Sequence, residues 1–316
     1  MREKGCLRRS LLMALPGLAL GVRGMVPRAE GQSVKWSSGA ERPKTKVPPG
    51  AADCHHHIYD SRYPVDPQAV LRPPDATVAD YRLLQKRIGT TRNVIVQPST
   101  YGVDNRLLLE ALGAFGLATT RGVAVVNTEV TDAELKHMHA AGVRGIRFNL
   151  AQSGARVLDR VDPLSKRVAS LGWHVQVNAS ADQIADAKAL WNNLPCPIVY
   201  DHLGHVPEPL GISHPVFAVI CELLHKDKAW LKLSGFYIDT KVGSPTYADS
   251  VAVAKAYVKE APERLVWGSD WPHPTEKANE KPDDAILIDL MGECVPDEAT
   301  RNRIFVDNAT KLYGFE

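Results

Sequence analysis

Short apolar runs alternate with amphipathic stretches from residue 51 to the end of the chain. Runs such as NVIVQ at 93–97 and IVYDH at 198–202 are rich in Val and Ile and do not alternate with polar residues. Such continuous apolarity is expected when both faces of a parallel sheet are buried. The intervening segments Thr77–Ile88 and Thr131–Ala141 have helical periodicity. Each opens on a threonine with an acid three residues later, which is typical of a helix N-terminus.

The pattern predicts eight strands, each followed by a helix. The predicted strands are Ala52–Tyr59, Asn93–Gln97, Gly122–Asn127, Val143–Asn149, Trp173–Asn178, Ile198–His202, Trp230–Ser234 and Leu265–Asp270. Eight consecutive βα units predict the α/β class and a single-domain (β/α)8 TIM barrel over residues 51–316. A doubly wound open sheet is the alternative, but the glycine-rich phosphate turn expected after its first strand is missing.

The first fifty residues differ from this pattern. MREKGCLRRSLLMALPGLALG has a basic start, the Arg8–Arg9 pair and an apolar run over 11–22. This predicts a twin-arginine-like export signal over residues 1–31 and a periplasmic location. The alternative is a cytoplasmic protein whose true start is Met13 or Met25. The apolar run is too short for stable membrane insertion. Residues 32–50 are polar and proline-rich, and they predict an extended arm or linker.

Composition excludes some classes of partner. The formal net charge is +2, and the sequence contains no basic stripe with interleaved aromatic residues, so we expect no nucleic-acid partner. Five cysteines are scattered without a CxxC motif, which argues against a disulfide framework and a zinc knuckle. The composition leaves a homo-oligomer open.

Polar residues cluster where the predicted strands end. These residues are His55, His57, Gln97, Ser99, Arg147, Asn149, Asn178, Asp201, His202, Ser234 and Asp270. In a TIM barrel the carboxyl ends of the strands form the active-site face. Convergence from seven strands is hard to explain by structural hydrogen bonding alone, so the pattern predicts an active site at this face.

The stretch AADCHHHIYD places three histidines in a row on the first strand. Side chains two residues apart on a strand point to the same face. His55 and His57 are therefore predicted to face the site together. His56 is predicted to face the other way, as a packing residue.

DCHHH on strand one, YDHLGH on strand six and WGSDWPH on strand eight resemble the amidohydrolase superfamily. The similarity is strongest to its amidohydrolase-2 branch of lactonases and sugar-acid lactone isomerases, and it runs from about Arg42 to the C-terminus. The resemblance implies a TIM barrel that hydrolyses or isomerises a small carboxylated lactone. The alternatives are a zinc-dependent hydrolase or decarboxylase of the same superfamily and a non-catalytic barrel that binds sugar acids.

The resemblance also bears on metal binding. Metal-dependent members take ligands from the strand-one HxH pair, a strand-four Lys or Glu, histidines of strands five and six, and the strand-eight Asp. This chain can offer His55, His57, His202 and Asp270. It departs from the pattern at Arg147 on strand four and Asn178 on strand five. We therefore expect no metal cofactor, with one Zn²⁺ on the four residues above as the alternative.

Roles follow from side-chain chemistry. Asp270 is the predicted general base, and the histidines are predicted to donate hydrogen bonds to the oxyanion. Arg147 suits a substrate carboxylate because its planar fork binds two oxygens. The remaining predicted substrate contacts are Ser99, Tyr101, Asn105 and Asn178. Asn105 could equally cap the second helix, and Arg144 could face either the site or the surface.

Overall fold

The computed structural model describes Met1 and residues 33–153 and 155–316. The predicted export signal at 1–31 therefore lies outside the described residues, apart from Met1, and stays a prediction. No helix in the described part of the chain combines the length and apolarity needed to cross a bilayer.

Eight parallel strands pair in sequence order. They are β1 (Ala52–His56), β2 (Arg92–Val96), β3 (Thr120–Ala124), β4 (Val143–Asn149), β5 (His174–Asn178), β6 (Ile198–Tyr200), β7 (Ala229–Leu233) and β8 (Leu265–Trp267). Asp270 N donates to His55 O at 2.7 Å and His57 N donates to Trp271 O at 2.8 Å, which brings the last strand against the first. The predicted (β/α)8 barrel is confirmed.

Helices cover the outside of the sheet. They are α1 (Val78–Ile88), α2 (Arg106–Phe115), α3 (Asp132–Ala140), α4 (Leu150–Ser153), α5 (Ala155–Leu158), α6 (Val161–Ala169), α7 (Ala181–Asp186), α8 (Lys188–Asn193), α9 (Pro215–His225), α10 (Ala248–Glu260), α11 (Asp284–Cys294), α12 (Glu298–Asn302) and α13 (Asn308–Tyr313). Thr77 and Thr131 form the predicted capping boxes, with Asp80 and Glu134 respectively. The caps satisfy backbone N–H groups that the first helical turn leaves without partners.

Four predicted strands extend two or three residues too far. Strands one and three were predicted through Tyr59 and Asn127, but they end at His56 and Ala124. The sequence predicted strand six through His202 and strand eight through Asp270, but the strands end at Tyr200 and Trp267. His202 has φ 48° and Asp270 has φ 62°, and left-handed backbone cannot continue a strand. Both side chains therefore lie on turns just beyond the sheet.

The amino end of the barrel is closed by apolar side chains. Small residues on the interior face of the strands form one cluster with the last helix; they include Ala52, Cys54, Val94, Val123, Val199 and Val266. Tyr313 and Phe315 fill the opening from α13 and the chain end, and both are buried. Any opening to the barrel interior must therefore lie at the carboxyl end, where the predicted site residues are.

The segment 33–50 packs on the barrel without forming a helix or strand. Lys35 O accepts a hydrogen bond from Trp271 Nε1 at 2.8 Å, in the loop after β8. Arg87 of α1 donates to Ser37 Oγ at 3.2 Å and to Ser38 O at 3.0 Å. The arm is thus tied to the same side of the barrel as the strand-eight loop.

Gly145 provides a test of packing inside the barrel. A Cβ atom there would lie 2.4 Å from Nε2 of His174, a buried ring on the neighbouring strand. We expect Gly145→Ala to lower the free energy of unfolding by about 1–3 kcal/mol, measured by urea denaturation. Gly113→Ala is the control, because nothing lies within 4 Å of its Cβ and alanine favours helix. Equal effects of the two substitutions would contradict the packing argument.

His174 should make the protein sensitive to acid. Its ring is buried, neither nitrogen has a hydrogen-bond partner among the described residues, and burial lowers its pKa to about 3. Between about pH 6.5 and 3 the unfolded chain then binds more protons at this site than the folded chain. As the pH is lowered through this window, the free energy of unfolding should decrease by up to about 1 kcal/mol per pH unit. His174→Phe should flatten that dependence in urea titrations, whereas His137→Gln, which removes an exposed histidine, should not.

Candidate active site

Three histidines surround one carboxylate oxygen at the carboxyl end of the barrel. Asp270 Oδ1 lies 3.3 Å from His57 Nε2, 3.4 Å from His55 Nε2 and 4.0 Å from His202 Nε2. All four side chains are buried. The structure therefore brings together the four residues that the sequence pattern singled out as catalytic.

A register slip aims His55 into the barrel. Asp53 pairs with Asn93 and His56 with Ile95, so β1 uses one more residue than β2 between these points. Such a bulge lets Cys54 and His55 both face the interior. His56 faces outward, where its ring stacks on Tyr81 at a centroid distance of 3.6 Å. The predicted orientations of the three histidines are confirmed.

Left-handed turns place the other two catalytic candidates. Leu203 and His205 share the positive φ of His202, with values of 56° and 50°, and His273 has φ 56° in the turn after Asp270. Non-glycine residues rarely adopt this conformation, and each instance costs free energy that the surroundings must offset. Here the tight turns after β6 and β8 direct the side chains back over the barrel opening.

A buried charge network lies beside the histidines. Asp201 Oδ2 accepts from Arg147 Nε at 3.2 Å and from Gln176 Nε2 at 3.1 Å. Lys232 Nζ donates to Gln176 Oε1 at 2.8 Å and lies 3.4 Å from Asp201 Oδ1. His55 Nδ1 is 3.2 Å from both Lys232 Nζ and Asp201 Oδ1. His55 thus connects the network to the Asp270 cluster.

The second oxygen of Asp270 is held by a hydrogen-bonded chain. Tyr237 Oη donates to Asp270 Oδ2 at 2.6 Å. His273 Nδ1 is 3.2 Å from Tyr237 Oη, and His273 Nε2 is 3.1 Å from Asp284 Oδ2. Since the single proton of Tyr237 goes to Asp270, His273 must donate to the phenol oxygen. The chain fixes one oxygen of Asp270 and leaves the other facing the histidines.

Amide and hydroxyl groups form one wall of the opening. Asn149 Nδ2 donates to Ser99 Oγ at 2.9 Å, and Asn178 Nδ2 donates to Asn149 Oδ1 at 3.1 Å. His205 Nε2 is 2.7 Å from Asn178 Oδ1, and its Nδ1 is 3.0 Å from Asp239 Oδ2. These groups span the ends of β2, β4, β5 and β6, so they present a continuous polar surface to a ligand.

The opening leads into a cavity of about 170 Å³. Its lining combines the polar wall with Arg147, His57, His202 and Asp270, and apolar side chains such as Leu71 and Ile238 complete it. A cavity that joins a few convergent polar groups to apolar walls is the usual form of a small-molecule site. Predicted site residues Ser99, Arg147 and Asn178 are among its lining residues.

Two of the predicted substrate contacts, Tyr101 and Asn105, are not among the described residues that line this cavity. Tyr101 Oη accepts from Asp60 N at 2.9 Å and donates to Asp60 O at 3.1 Å, which secures the loop after β1. Asn105 occupies the N-cap position of α2, but its side chain makes no capping hydrogen bond there. Its side chain bonds both backbone groups of Val125, and it lines a separate cleft of about 500 Å³ that also contains Met138 of α3. Both amide ends of Asn105 are thus used structurally.

The side chain of Arg144, which the sequence left undecided between the site and the surface, lies away from the site. Its Nη1 donates to His139 O at 3.0 Å and to Val143 O at 2.8 Å, and it is not part of the cavity lining. Three residues away, Arg147 faces the interior, as expected for positions of opposite orientation on a strand. Arg147 is therefore the strand-four cation of the site.

Burial and charge set the ionisation of the site. Burial alone would raise the pKa of Asp270, but His202, His57 and His55 hold it well below its usual range. Burial lowers the pKa of His202 to about 4. Burial and then Lys232 lower the pKa of His55 well below its usual range. Burial thus favours the uncharged forms of His55 and His202, and the histidines favour the ionised form of Asp270.

Three of these side chains have the spacing of a metal site. One ligand atom each from His55, His202 and Asp270 lies within 4.8 Å of the others. Two histidines and a carboxylate are a common zinc ligand set. By distance alone, these residues could hold one ion.

Comparisons with known proteins agree with this geometry. The sequence profile of the amidohydrolase family matches residues 52–315. A 2-pyrone-4,6-dicarboxylate hydrolase of Comamonas testosteroni is 33% identical over 88% of this chain and 94% of its own length. The chain belongs to the amidohydrolase family.

Further relatives support this family assignment. A D-galactarolactone isomerase of Agrobacterium fabrum is 30% identical to this amidohydrolase over 86% of this chain and 93% of its own. The apo structure of an Agrobacterium tumefaciens protein superposes with a TM-score of 0.82 at 29% identity, covering 89% of this chain and 99% of that one. A Burkholderia multivorans amidohydrolase with bound zinc shares the fold, at 19% identity and a TM-score of 0.67 over 84% of this chain and 99% of that one. Some members of the fold family thus bind zinc.

Lys232 and Tyr237 of this amidohydrolase were not predicted as site residues. Lys232 had a readable signal, since WLKLS places one lysine inside an otherwise apolar strand, where only a paired charge is stable. Tyr237 lies in the loop after β7, at a position that strand periodicity does not reach. Asp201 was recognised as a strand-end residue, but its pairing with Arg147 and Lys232 depends on the curvature of the closed barrel.

Proposed function

We propose that this amidohydrolase opens or rearranges small carboxylated lactones without a metal ion, with Asp270 as the general base. The observation that carries the proposal is the position of Asp270 Oδ1. It is buried among three histidine nitrogens and opens on the same cavity as Arg147.

Asp270 is arranged to take a proton. Its Oδ2 is held by Tyr237, while Oδ1 has no hydrogen-bond partner among the described residues. An anionic oxygen in this position can accept the proton of a hydroxyl as that hydroxyl attacks a lactone carbonyl. If water attacks, the product is an open acid. If a hydroxyl of the substrate attacks, the ring changes size.

His55 and His202 are suited to stabilise the oxyanion. A hydrogen bond to the developing charge is worth several kcal/mol in a buried site. His57 differs, because its Nδ1 is 2.8 Å from Val96 O and must donate to that carbonyl. A neutral His57 therefore presents an unprotonated Nε2, which suits it to orient the attacking hydroxyl. This changes the role expected for His57 from its position alone.

Arg147 and the polar wall are suited to the substrate's anionic and hydroxyl groups. Arg147 bonds Asp201 through Nε, so the terminal nitrogens of the guanidinium can pair with a carboxylate. Ser99, Asn149 and Asn178 offer hydroxyl and amide groups beside it. The relatives named for pyrone dicarboxylate and galactarolactone support this class, since both names describe rings with an internal ester.

The surrounding charges support a reaction without metal. Lys232 and Arg147 already place two buried cations near the site, and they share one carboxylate, Asp201, as their ion-pair partner. Charges of the same sign repel strongly where water is excluded. A divalent cation bound to His55 would add to this repulsion. The zinc-dependent alternative rests on the spacing of His55, His202 and Asp270.

A substrate panel on metal-stripped protein tests the proposal. Protein treated with chelator and dialysed should still convert one or more members of a panel of aldarolactones, pyrone dicarboxylate and muconolactones. A pH indicator detects hydrolysis by acid release, and NMR detects a changed ring without acid release. Activity that disappears with chelator and returns with about one zinc per chain would refute metal independence.

Asp270→Asn separates an enzyme from a binding protein. The substitution keeps the shape of the side chain and removes the base, so kcat should fall by about 10²- to 10⁴-fold. Substrate binding, measured by calorimetry, should persist because Arg147 and the polar wall are intact. Lys255→Met, which removes an exposed ion pair with Glu293, is the control for surface changes. Unchanged turnover in Asp270→Asn would rule out Asp270 as the base.

A further inference from the structure

Lys232 is the most deeply buried cation of the site. It lies on β7 with 0% of its surface exposed, and its Nζ is 2.8 Å from Gln176 Oε1 and 3.2 Å from His55 Nδ1. Lysines are almost never buried completely unless their charge is paired. The partner of this charge is Asp201, whose Oδ1 lies at 3.4 Å.

The hydrogen bonds around Lys232 can be assigned from donor and acceptor chemistry. Gln176 Nε2 donates to Asp201 Oδ2 at 3.1 Å, so its Oε1 faces Lys232 as an acceptor. An ammonium group has three N–H donors and no acceptor. One N–H of the ammonium donates to Gln176 Oε1 and another points to His55 Nδ1, while Asp201 Oδ1 pairs with the charge at 3.4 Å without a directed hydrogen bond. His55 Nδ1 must then be unprotonated.

Asp201 competes for the same nitrogen. Its Oδ1 is also 3.2 Å from His55 Nδ1, and a carboxylate would favour a proton there. However, Oδ1 of Asp201 makes no directed hydrogen bond within the described part of the structure. The contact with His55 therefore has the distance but not the direction of a hydrogen bond. Lys232 makes the better-directed contact.

We propose that Lys232 is a positioning residue that fixes His55 with its proton on Nε2, so that His55 donates to the substrate oxyanion and cannot ligate a metal ion. A metal-ligating histidine must present an unprotonated nitrogen to the ion. The inference deepens the proposed function and rests on it. It identifies the residue that makes the site independent of metal.

The hydrogen bonds of His57 favour the opposite tautomer. Its Nδ1 donates to Val96 O, so its Nε2 is unprotonated in the neutral ring. The two Nε2 atoms lie 3.3 Å apart, so His55 can donate its proton to His57, while Asp270 Oδ1 lies 3.4 Å from the same His55 nitrogen. One histidine of the pair thus donates and the other accepts. Binding an ion to both would require His55 to give up that arrangement.

Removing the Lys232 ammonium should allow His55 to change its tautomer. In Lys232→Met, Asp201 Oδ1 becomes the polar neighbour of His55 Nδ1. After a small rotation, the ring can carry its proton on Nδ1 instead of Nε2 and donate a hydrogen bond to that carboxylate. His55 Nε2 would then be unprotonated beside His57, His202 and Asp270. The variant should acquire a zinc site that the wild-type protein lacks.

Two measurements that need no substrate test this. Long-range ¹H–¹⁵N spectra of histidine-labelled wild-type protein, with the His55 signals assigned by their loss in His55→Asn, should show the Nε2–H form. Elemental analysis after dialysis against zinc should find about one zinc per chain in Lys232→Met and much less in wild type. Lys232→Gln should resemble wild type, because its amide can still donate to Nδ1. Lys255→Met is the surface control.

Activity provides a third readout. Because His55 would lose its donor proton, kcat of metal-free Lys232→Met should fall by about 10²-fold with little change in KM. An Nδ1–H form of His55 in the wild-type spectrum would overturn the inference, and so would a folded Lys232→Met that gains no zinc. If Lys232→Met does not fold, the wild-type spectrum decides alone. Failure of the proposed function would appear separately, as no lactone turnover by wild-type protein.

Discussion

The site depends on the slipped register between β1 and β2. Without the extra residue between Asp53 and His56, a regular alternation that starts from an inward Cys54 would turn His55 and His57 outward and His56 inward. The slip is held by Asp53, which accepts from Ser269 N at 2.9 Å and Ser269 Oγ at 2.6 Å. One outward carboxylate on β1 thus locks the strand to the loop after β8.

The contact between β1 and the segment after β8 also positions the catalytic residues through their backbone. A Cβ at Gly268 would lie 2.6 Å from Cβ of His55, so β8 can pass the bulge only with glycine there. Two residues further on, Asp270 N donates to His55 O. The base and the first histidine are therefore positioned by each other's backbone as well as by their side chains. A shift of either strand would move both groups, which preserves their relative geometry.

The strand pattern was enough to predict the barrel, because it depends on periodicity. The four central residues followed from their places at the strand ends and from the motifs shared with the family, since His202 and Asp270 lie on turns beyond the strands. The same period placed Arg147 in the site, although it left Arg144 undecided. It could not place Tyr101 and Asn105, since loop residues follow no period and their hydrogen bonds to Asp60 and Val125 depend on the folded chain. Lys232 was visible in the sequence, but its partner Asp201 lies on the adjacent strand and is known only once the strands are paired.

The two carboxylates of the site have separate functions because their partners differ. Burial alone would raise the pKa of Asp201, but Lys232 and Arg147 help to hold it well below its usual range. Its charge neutralises cations and has little capacity left to take a proton. Among the described residues, the Asp270 carboxylate instead receives one hydrogen bond, from Tyr237 to Oδ2. His273 contacts that phenol oxygen and also the buried Asp284. The bond fixes the rotation of the carboxylate and leaves Oδ1 facing the histidines and the cavity. The basic oxygen is therefore the one that a substrate hydroxyl can reach.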